Sequence, residues 1–377
     1  MTVIELRRRL GLIVNPIAGI GGRVGLKGSD GAEVQERALE LGAVPQSLNR
    51  AVQALERVEP IKDDVEMVTY PGEMGEDAAR ECGFEPIVIG SIREGHTTAG
   101  DTMDAARDML RMGVDLLLFA GGDGTARDVY SAIGDEMPVL GIPTGVKIHS
   151  AAFAVNPERA GDLAVMYLRG RARDMREAEV MDIDEVALRQ GIVSARLYGY
   201  LRIPFERRLI QGLKTPSGSG DRGAVEAIAR RIAEWMEGDC LYIIGPGTTT
   251  RAITSRLGLS KTLIGVDAVL NGELAGADLN EAQLLGLLDG RDARIIITPI
   301  GGQGYVFGRG NQQISPEVIR RVGRDKITVV AAPGKIHSLR GRPLLVDTGD
   351  EAVDEMLSGY VRVVTGYNDQ LIYRVSH

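Results

Sequence analysis

A chain of 377 residues and 40.5 kDa is long enough to bury a full core and is read as two domains. A formal charge of −8 and an aromatic content of 4% argue against a basic nucleic-acid face or a base-stacking platform. Small anions stay open as ligands, because local N–H groups and a few cations can meet them.

The two cysteines, Cys82 and Cys240, form neither a metal spacing nor a disulfide framework, as in a reducing cytoplasm. No apolar run approaches the ~18 residues of a membrane span. The N-terminus carries arginines but leads straight into a strand, so a soluble cytoplasmic protein is expected.

In chain order, Leu10 to Val14 reads as a buried strand running into the glycine-rich turn Asn15 to Gly22. Neither a Walker A sequence nor the dinucleotide G-x-G-x-x-G fingerprint is present in usable form. Lys27 and Asp30 follow as candidates to meet a phosphate and a metal, or as plain solvated charges. The pattern predicts one helix over Glu33 to Val58, a strand over Asp64 to Tyr70 and a helix over Gly75 to Cys82. A short strand over Glu85 to Ile89 and a helix over Thr98 to Met112 come next.

Leu116 to Ala120 is an apolar run ending in Gly121-Gly122-Asp123-Gly124-Thr125, with a helix continuing through Ile133. Glycines let N–H groups approach an anion closely, and a helix start adds positive partial charge. A carboxylate in a plain phosphate cradle would repel its ligand. Asp123 therefore points to a second task, either holding Mg²⁺ or taking a proton from an attacking hydroxyl. The strand Pro138 to Pro143 ends in Thr144-Gly145-Val146-Lys147-Ile148-His149-Ser150, which brings Lys147 and His149 toward Asp123. Alternating strands and helices imply a doubly wound parallel sheet whose ligands sit beyond the strands' carboxyl ends. Arg159 to Arg173 reads as a basic helix with a solvated face.

Beyond Met181 the pattern turns strand-rich, with Ile183 to Leu188 and Arg196 to Pro204 as strands lacking an intervening helix. The domains are therefore set at 1–182, an α/β nucleotide-binding unit, and 183–377, a mixed α/β unit. The active site is expected in the cleft between them, and the last strands are candidates to return to the first domain. Lys214 to Gly223 reads as a mobile loop, and Ala224 to Met236 as a helix whose Trp235 anchors the core or a domain contact.

The strand Cys240 to Ile244 delivers Gly245-Pro246-Gly247-Thr248-Thr249-Thr250, a glycine and hydroxyl turn before a helix. Segments Thr262 to Val269, Asn280 to Leu288 and Ala293 to Thr298 form a further βα run. The loop Pro299 to Gln312 is dense in glycine, amide and arginine, and packing alone explains it poorly. Arg309 is suited there to a phosphate or carboxylate. Ile327 to Ala331, Leu344 to Asp347, Val361 to Thr365 and Gln370 to Val375 are the closing strands.

The order of these motifs resembles the ATP-NAD kinase family, within the group that also contains diacylglycerol and sphingosine kinases. Gly121 to Thr125 matches the group's signature, and Asn15-Pro16 with its glycines looks like the first phosphate turn. Pro143-Thr144-Gly145 stands where NAD kinases carry Asn-Thr-Gly. Asp184-Glu185-Val186 looks like their Asn-Glu-Val strand, and Gly245 to Thr250 is similar to their Thr-Pro-Thr-Gly-Ser-Thr loop. His337-Ser338-Leu339 with Arg342-Pro343-Leu344 completes the likeness. Thr298 to Gln313 and Val346 to Asp350 are closer to the divergent ATP-NAD kinase-like branch that includes the acetoin-catabolism X proteins.

The resemblance implies a kinase in which Asp123 accepts or orients the hydroxyl proton. The N–H groups of Gly121, Gly122, Gly124 and Thr125 would hold phosphates, with Asn15, Gly19, Gly21, Gly22, Thr144 and Gly145 completing the anion site. Asp184, Glu185, Gly247, Thr248, Thr249 and Thr250 would hold ribose or base, and Gly302, Arg309 and Asn311 would close over the donor. Family members are usually dimers or tetramers.

Expected partners are ATP or polyphosphate as donor with Mg²⁺, and NAD as acceptor through its 2′-hydroxyl; no metal ligands are assigned. Asp184 in place of Asn, and the additional segments Glu206 to Gly238 and Leu257 to Lys326, leave open a different small hydroxyl acceptor. A nucleotide sensor without turnover is the third alternative. A lipid acceptor is disfavoured, since no basic amphipathic helix suggests membrane docking.

Overall fold

The computed structural model describes residues 7–26, 32–144, 148–183, 195–206, 208–211, 221–262 and 264–377. The first sheet has five strands: β1 (Arg8–Val14), β2 (Val65–Thr69), β3 (Ile87–Val88), β4 (Leu116–Gly121) and β5 (Val139–Pro143). Their order is β3-β2-β1-β4-β5, with every neighbouring pair parallel. Strands buried on both faces need no polar alternation, so β1 and β4 read as continuous apolar runs. The chain winds outward from β1 to β3, then returns to the other side of β1 as β4. That reversal opens a crevice beyond the carboxyl ends of β1 and β4, where Asn15 and the Gly121-Gly122 pair lie.

Among the described residues, the helices beside this sheet are α1 (Ala32–Glu40), α2 (Ser47–Val58), α3 (Glu76–Glu81), α4 (Ala99–Arg111), α5 (Asp123–Ile133) and α6 (Pro157–Leu168). Helix α2 packs on α6, and α4 on α5. The single helix expected over Glu33 to Val58 is in fact two. Gly42, at φ +79°, ends the first with a bond from Ala43 N–H to the Ala38 carbonyl, and Pro45 precedes the second. Leu39, near the end of the first of them, is exposed.

The strand expected over Ile183 to Leu188 begins earlier, as β6 (Met175–Ile183), antiparallel to β7 (Ala195–Pro204). Residues 184–188 lie outside the described residues, as do residues 214–220 of the expected loop Lys214 to Gly223, whose last two residues are instead helical.

The remaining chain forms α7 (Arg222–Trp235), β8 (Cys240–Ile244), α8 (Thr248–Arg256), β9 (Asp267–Leu270), β10 (Glu273–Gly276), α9 (Glu281–Leu288), β11 (Asp292–Ile297) and β12 (Tyr305–Phe307). It ends with α10 (Pro316–Val322), β13 (Ile327–Val330), α11 (Pro333–His337), β14 (Leu344–Val346), α12 (Glu351–Leu357), β15 (Gly359–Val364) and β16 (Gln370–Ser376). Nine of these strands make the second sheet, ordered β10-β9-β8-β11-β13-β15-β16-β14-β12.

Its centre, from β8 to β15, is parallel, while β9, β10 and β16 join antiparallel. Period-2 alternation separates two cores: Leu241 and Ile243 of β8 enter one cluster, Tyr242 and Ile244 the other. Strands β15 and β16 lie in this sheet and do not return to the first. Trp235 is 39% exposed, in a T-shaped contact with Tyr242 and with its face under the Arg294 guanidinium, so it is only a partial anchor. Among the described residues no helix is long and apolar enough to cross a membrane.

Candidate active site

Strand β4 hands directly to α5, with Gly122 as N-cap and Asp123 as the first helical residue. The first N–H groups of a helix have no intrahelical acceptor, so those of Gly124 and Thr125 face the crevice as donors. Gly121 is required by contact: a Cβ built on it would lie 2.3 Å from Thr125 Oγ1. Thr125 can therefore fold back over β4, where its hydroxyl oxygen accepts from Asn15 Nδ2 at 2.9 Å. Asn15 N–H donates to the Ala120 carbonyl at 3.0 Å, and Thr144 N–H to the Gly121 carbonyl at 3.0 Å. Asn15, Gly121, Thr125 and Thr144 thus converge on one rim.

Asp123 is buried at 8% exposure, and its carboxylate is held by the turn after β5. His149 N–H donates to Oδ2 at 2.8 Å and Ser150 N–H to Oδ1 at 2.9 Å, with His149 Nδ1 lying 3.3 Å from Oδ2. A carboxylate offers about four acceptor positions, so capacity remains for an incoming O–H donor. The turn is braced in its own right. Ser150 Oγ donates to the Met181 carbonyl and accepts from Met181 N–H, and Ala151 N–H donates to the Glu179 carbonyl, all on β6. Gln211 Nε2 donates to the Ser150 carbonyl at 2.7 Å.

Gly19, Gly21 and Gly22 lie in a run of tight turns between Asn15 and Leu26, in which the N–H of Gly22 is spent on the Gly19 carbonyl. The loop between β11 and α10 roofs this run. A Cβ on Gly22 would meet Gln312 at 3.2 Å, and Gln313 lies over Gly25. Gly302, Arg309 and Asn311 are buried in the same loop. Arg309 is paired with Asp347 through Nη2 at 3.0 Å and stacks on Tyr305, while Asn311 Nδ2 donates to the Val306 carbonyl at 2.8 Å. Asp347 also pairs with Arg50 of α2, and Tyr305 OH donates to the Val155 carbonyl, so the loop ties the two sheets together. Buried atoms without a hydrogen-bond partner include Thr144 Oγ1, Arg309 Nη1 and Asn311 Oδ1.

The turn Gly247 to Thr250 lies at the carboxyl end of β8, where Thr250 Oγ1 is spent on the Gly245 and Gly247 carbonyls. Thr249 Oγ1 is buried there without a partner, and Thr248 is exposed. Among the described residues no hydrogen bond joins this turn to the Asp123 rim. Beside it, buried Lys335 donates to Thr298 Oγ1 at 3.0 Å, a cation that the sequence did not single out although His337 of the same helix belongs to the family-like segment. Gly145, Lys147, Asp184, Glu185, Lys27 and Asp30 lie outside the described residues. A cleft of about 260 Å³ lined by Arg8, Asp115, Tyr167 and Arg173 opens at the opposite, amino end of the first sheet and contains none of the motif residues.

A doubly wound sheet with an acid at its switch point, roofed by a loop from a second sheet, defines a two-sheet α/β protein with an anion-binding rim. Residues 10–172 match the family model of the ATP-NAD kinase N-terminal domain, and residues 238–375 that of the ATP-NAD kinase C-terminal domain. The chain belongs to the ATP-NAD kinase family. No curated protein matched it. Strands β6 and β7 and helix α7 fall between the two matched regions.

Proposed function

We propose that the protein transfers the γ-phosphoryl group of ATP to the 2′-hydroxyl of NAD, giving NADP and ADP. The observation that carries this reading is Asp123, an acid fixed by two N–H donors at the rim where β1, β4 and β5 end. Phosphoryl transfer asks a protein mainly for positioning and charge neutralisation. In the proposed step the ribose oxygen attacks the γ-phosphorus, the bond to the ADP oxygen breaks, and Asp123 accepts the hydroxyl proton. The α5 N-terminus and the unpartnered donors Thr144 Oγ1 and Arg309 Nη1 fit an anionic ligand. Among the described residues no three His, Cys, Asp or Glu side chains gather to hold a metal. Mg²⁺ suits this site as a companion of the nucleotide phosphates, where it neutralises charge.

Asp123→Asn keeps the size of the side chain but weakens the proton acceptor, and general-base catalysis contributes roughly 10² to 10⁴ in rate. The expected result is a fall of that order in kcat, with ATP affinity by calorimetry nearly unchanged. Wild-type turnover in the variant would remove Asp123 from the mechanism.

A second reading keeps the kinase and changes the acceptor to another small hydroxyl compound. It is favoured by Pro143 at the end of β5, where NAD kinases carry Asn, and by the unmatched region holding β6 and β7. Purified protein with ATP, Mg²⁺ and millimolar NAD separates the two: NADP formation supports the first reading, and its absence beside turnover of another acceptor supports the second. Polyphosphate replaces ATP as donor in a parallel arm. The cytoplasm is the proposed location, with Cys82 and Cys240 both free thiols.

A further inference from the structure

Gln303 lies in the glycine-dense loop between β11 and β12 and is 5% exposed. Its Nε2 donates to the Ile148 carbonyl at 2.8 Å. That carbonyl and the His149 N–H are the two polar ends of one planar trans peptide unit. The far end of the unit donates to Asp123 Oδ2 at 2.8 Å. Gln303, the peptide and the carboxylate therefore form a continuous hydrogen-bond chain, in which fixing one end fixes the direction of the other and each bond polarises the next.

We infer that Gln303 is a positioning residue: through the 148–149 peptide it sets the orientation of the Asp123 carboxylate, so that the second domain aligns the acid of the first. The inference rests on the phosphotransfer reading for its consequence in rate, and on geometry alone for the chain itself. It also accounts for the loop's composition. Gly302 and Gly304 flank Gln303, and a Cβ on Gly304 would lie 3.2 Å from both Leu339 Cδ2 and the Pro343 carbonyl, so the amide is threaded into a gap that bulkier neighbours would close. A buried glutamine serving only packing is the competing account, and it predicts no communication with Asp123.

Two variants of similar volume test the chain: Gln303→Met, which deletes the donor, and Gln303→Glu, which sets an acceptor against the Ile148 carbonyl. Two measurements are made on full-length protein. In hydrogen exchange, the amides of residues 149 and 150 should exchange at least about tenfold faster in either variant, while those of α6 stay as in wild type. In steady-state kinetics with ATP, Mg²⁺ and NAD, kcat should fall about tenfold, the rate equivalent of one neutral hydrogen bond, with both KM values within about twofold. In an Asp123→Asn background the same substitution should change kcat by a factor near one, since the group it aligns is gone.

An equal loss in both backgrounds, or unchanged exchange at residues 149 and 150, overturns the inference, as does faster exchange spread over the whole protein. If wild type forms neither NADP nor ADP, the functional reading falls while the exchange measurement alone decides the chain.

Discussion

Asp123, Thr125 and Asn15 owe their arrangement to the absence of one carbon atom. Gly121 lets the Thr125 side chain lie against β4, and that hydroxyl holds Asn15 at the end of the neighbouring strand. Gly121→Ala would force Thr125 away and break its bond with Asn15. Overpacking of this kind costs about 1–3 kcal/mol, so a fall of several degrees in Tm is expected together with weaker ATP binding. A variant with unchanged Tm and ATP affinity would show that the rim tolerates a wider turn. The spacing Gly-Gly-Asp-Gly-Thr was legible from residue types, because strand, turn and helix start are local. His149 was expected near Asp123 from the topology, but the backbone N–H bonds of His149 and Ser150 to its carboxylate were not, since they form only after β5 has been laid beside β4.

At the scale of elements, the short helix α12 shows how burial sets a titration. Asp354 accepts from Thr348 N–H through both oxygens, at 3.0 and 3.2 Å. Burial outweighs these bonds and raises its pKa from 3.8 to about 6, with neighbouring Asp347 adding to the rise and Arg50 opposing it. The folded state thus keeps the proton that the unfolded chain releases. This group's stabilising contribution is full below pH 3.8 and is lost as pH climbs through about 6. For a group this buried the swing is roughly 2–3 kcal/mol. Asp354→Asn should flatten urea-derived stability between about pH 4 and 6; an unchanged profile would assign the swing to other groups. The same scale separates helices that the sequence showed from those it hid. Thr98-Asp101 and Asn280-Gln283 carry capping boxes that mark helix starts. Helices α10, α11 and α12 span only 5 to 7 residues each, too few for an apolar period to declare itself.

At the scale of the whole molecule, a buried cluster of charges joins the two sheets. Asp347 is gripped by Arg309 of its own domain and by Arg50 of α2, all three largely shielded from water. Asp347→Ala would leave two buried guanidinium groups without that partner, a loss of about 3–5 kcal/mol. Because the pairing spans both sheets, calorimetry should show the variant's transition broaden or split, with the first sheet and the second melting apart. A single transition at the wild-type Tm would mean that the Gln303 and Tyr305 contacts suffice. Residue order alone determined the parallel sheet, the acid-bearing turn at its rim and the kinase family, since strand periods, glycine turns and caps act over a few residues. Tertiary structure alone decided what roofs the site. Arg50 and Asp347 stand 297 positions apart, and Gln303 and Ile148 155 apart. No local pattern records contacts between side chains so distant in sequence; they exist only once burial of two separate cores has brought the sheets together.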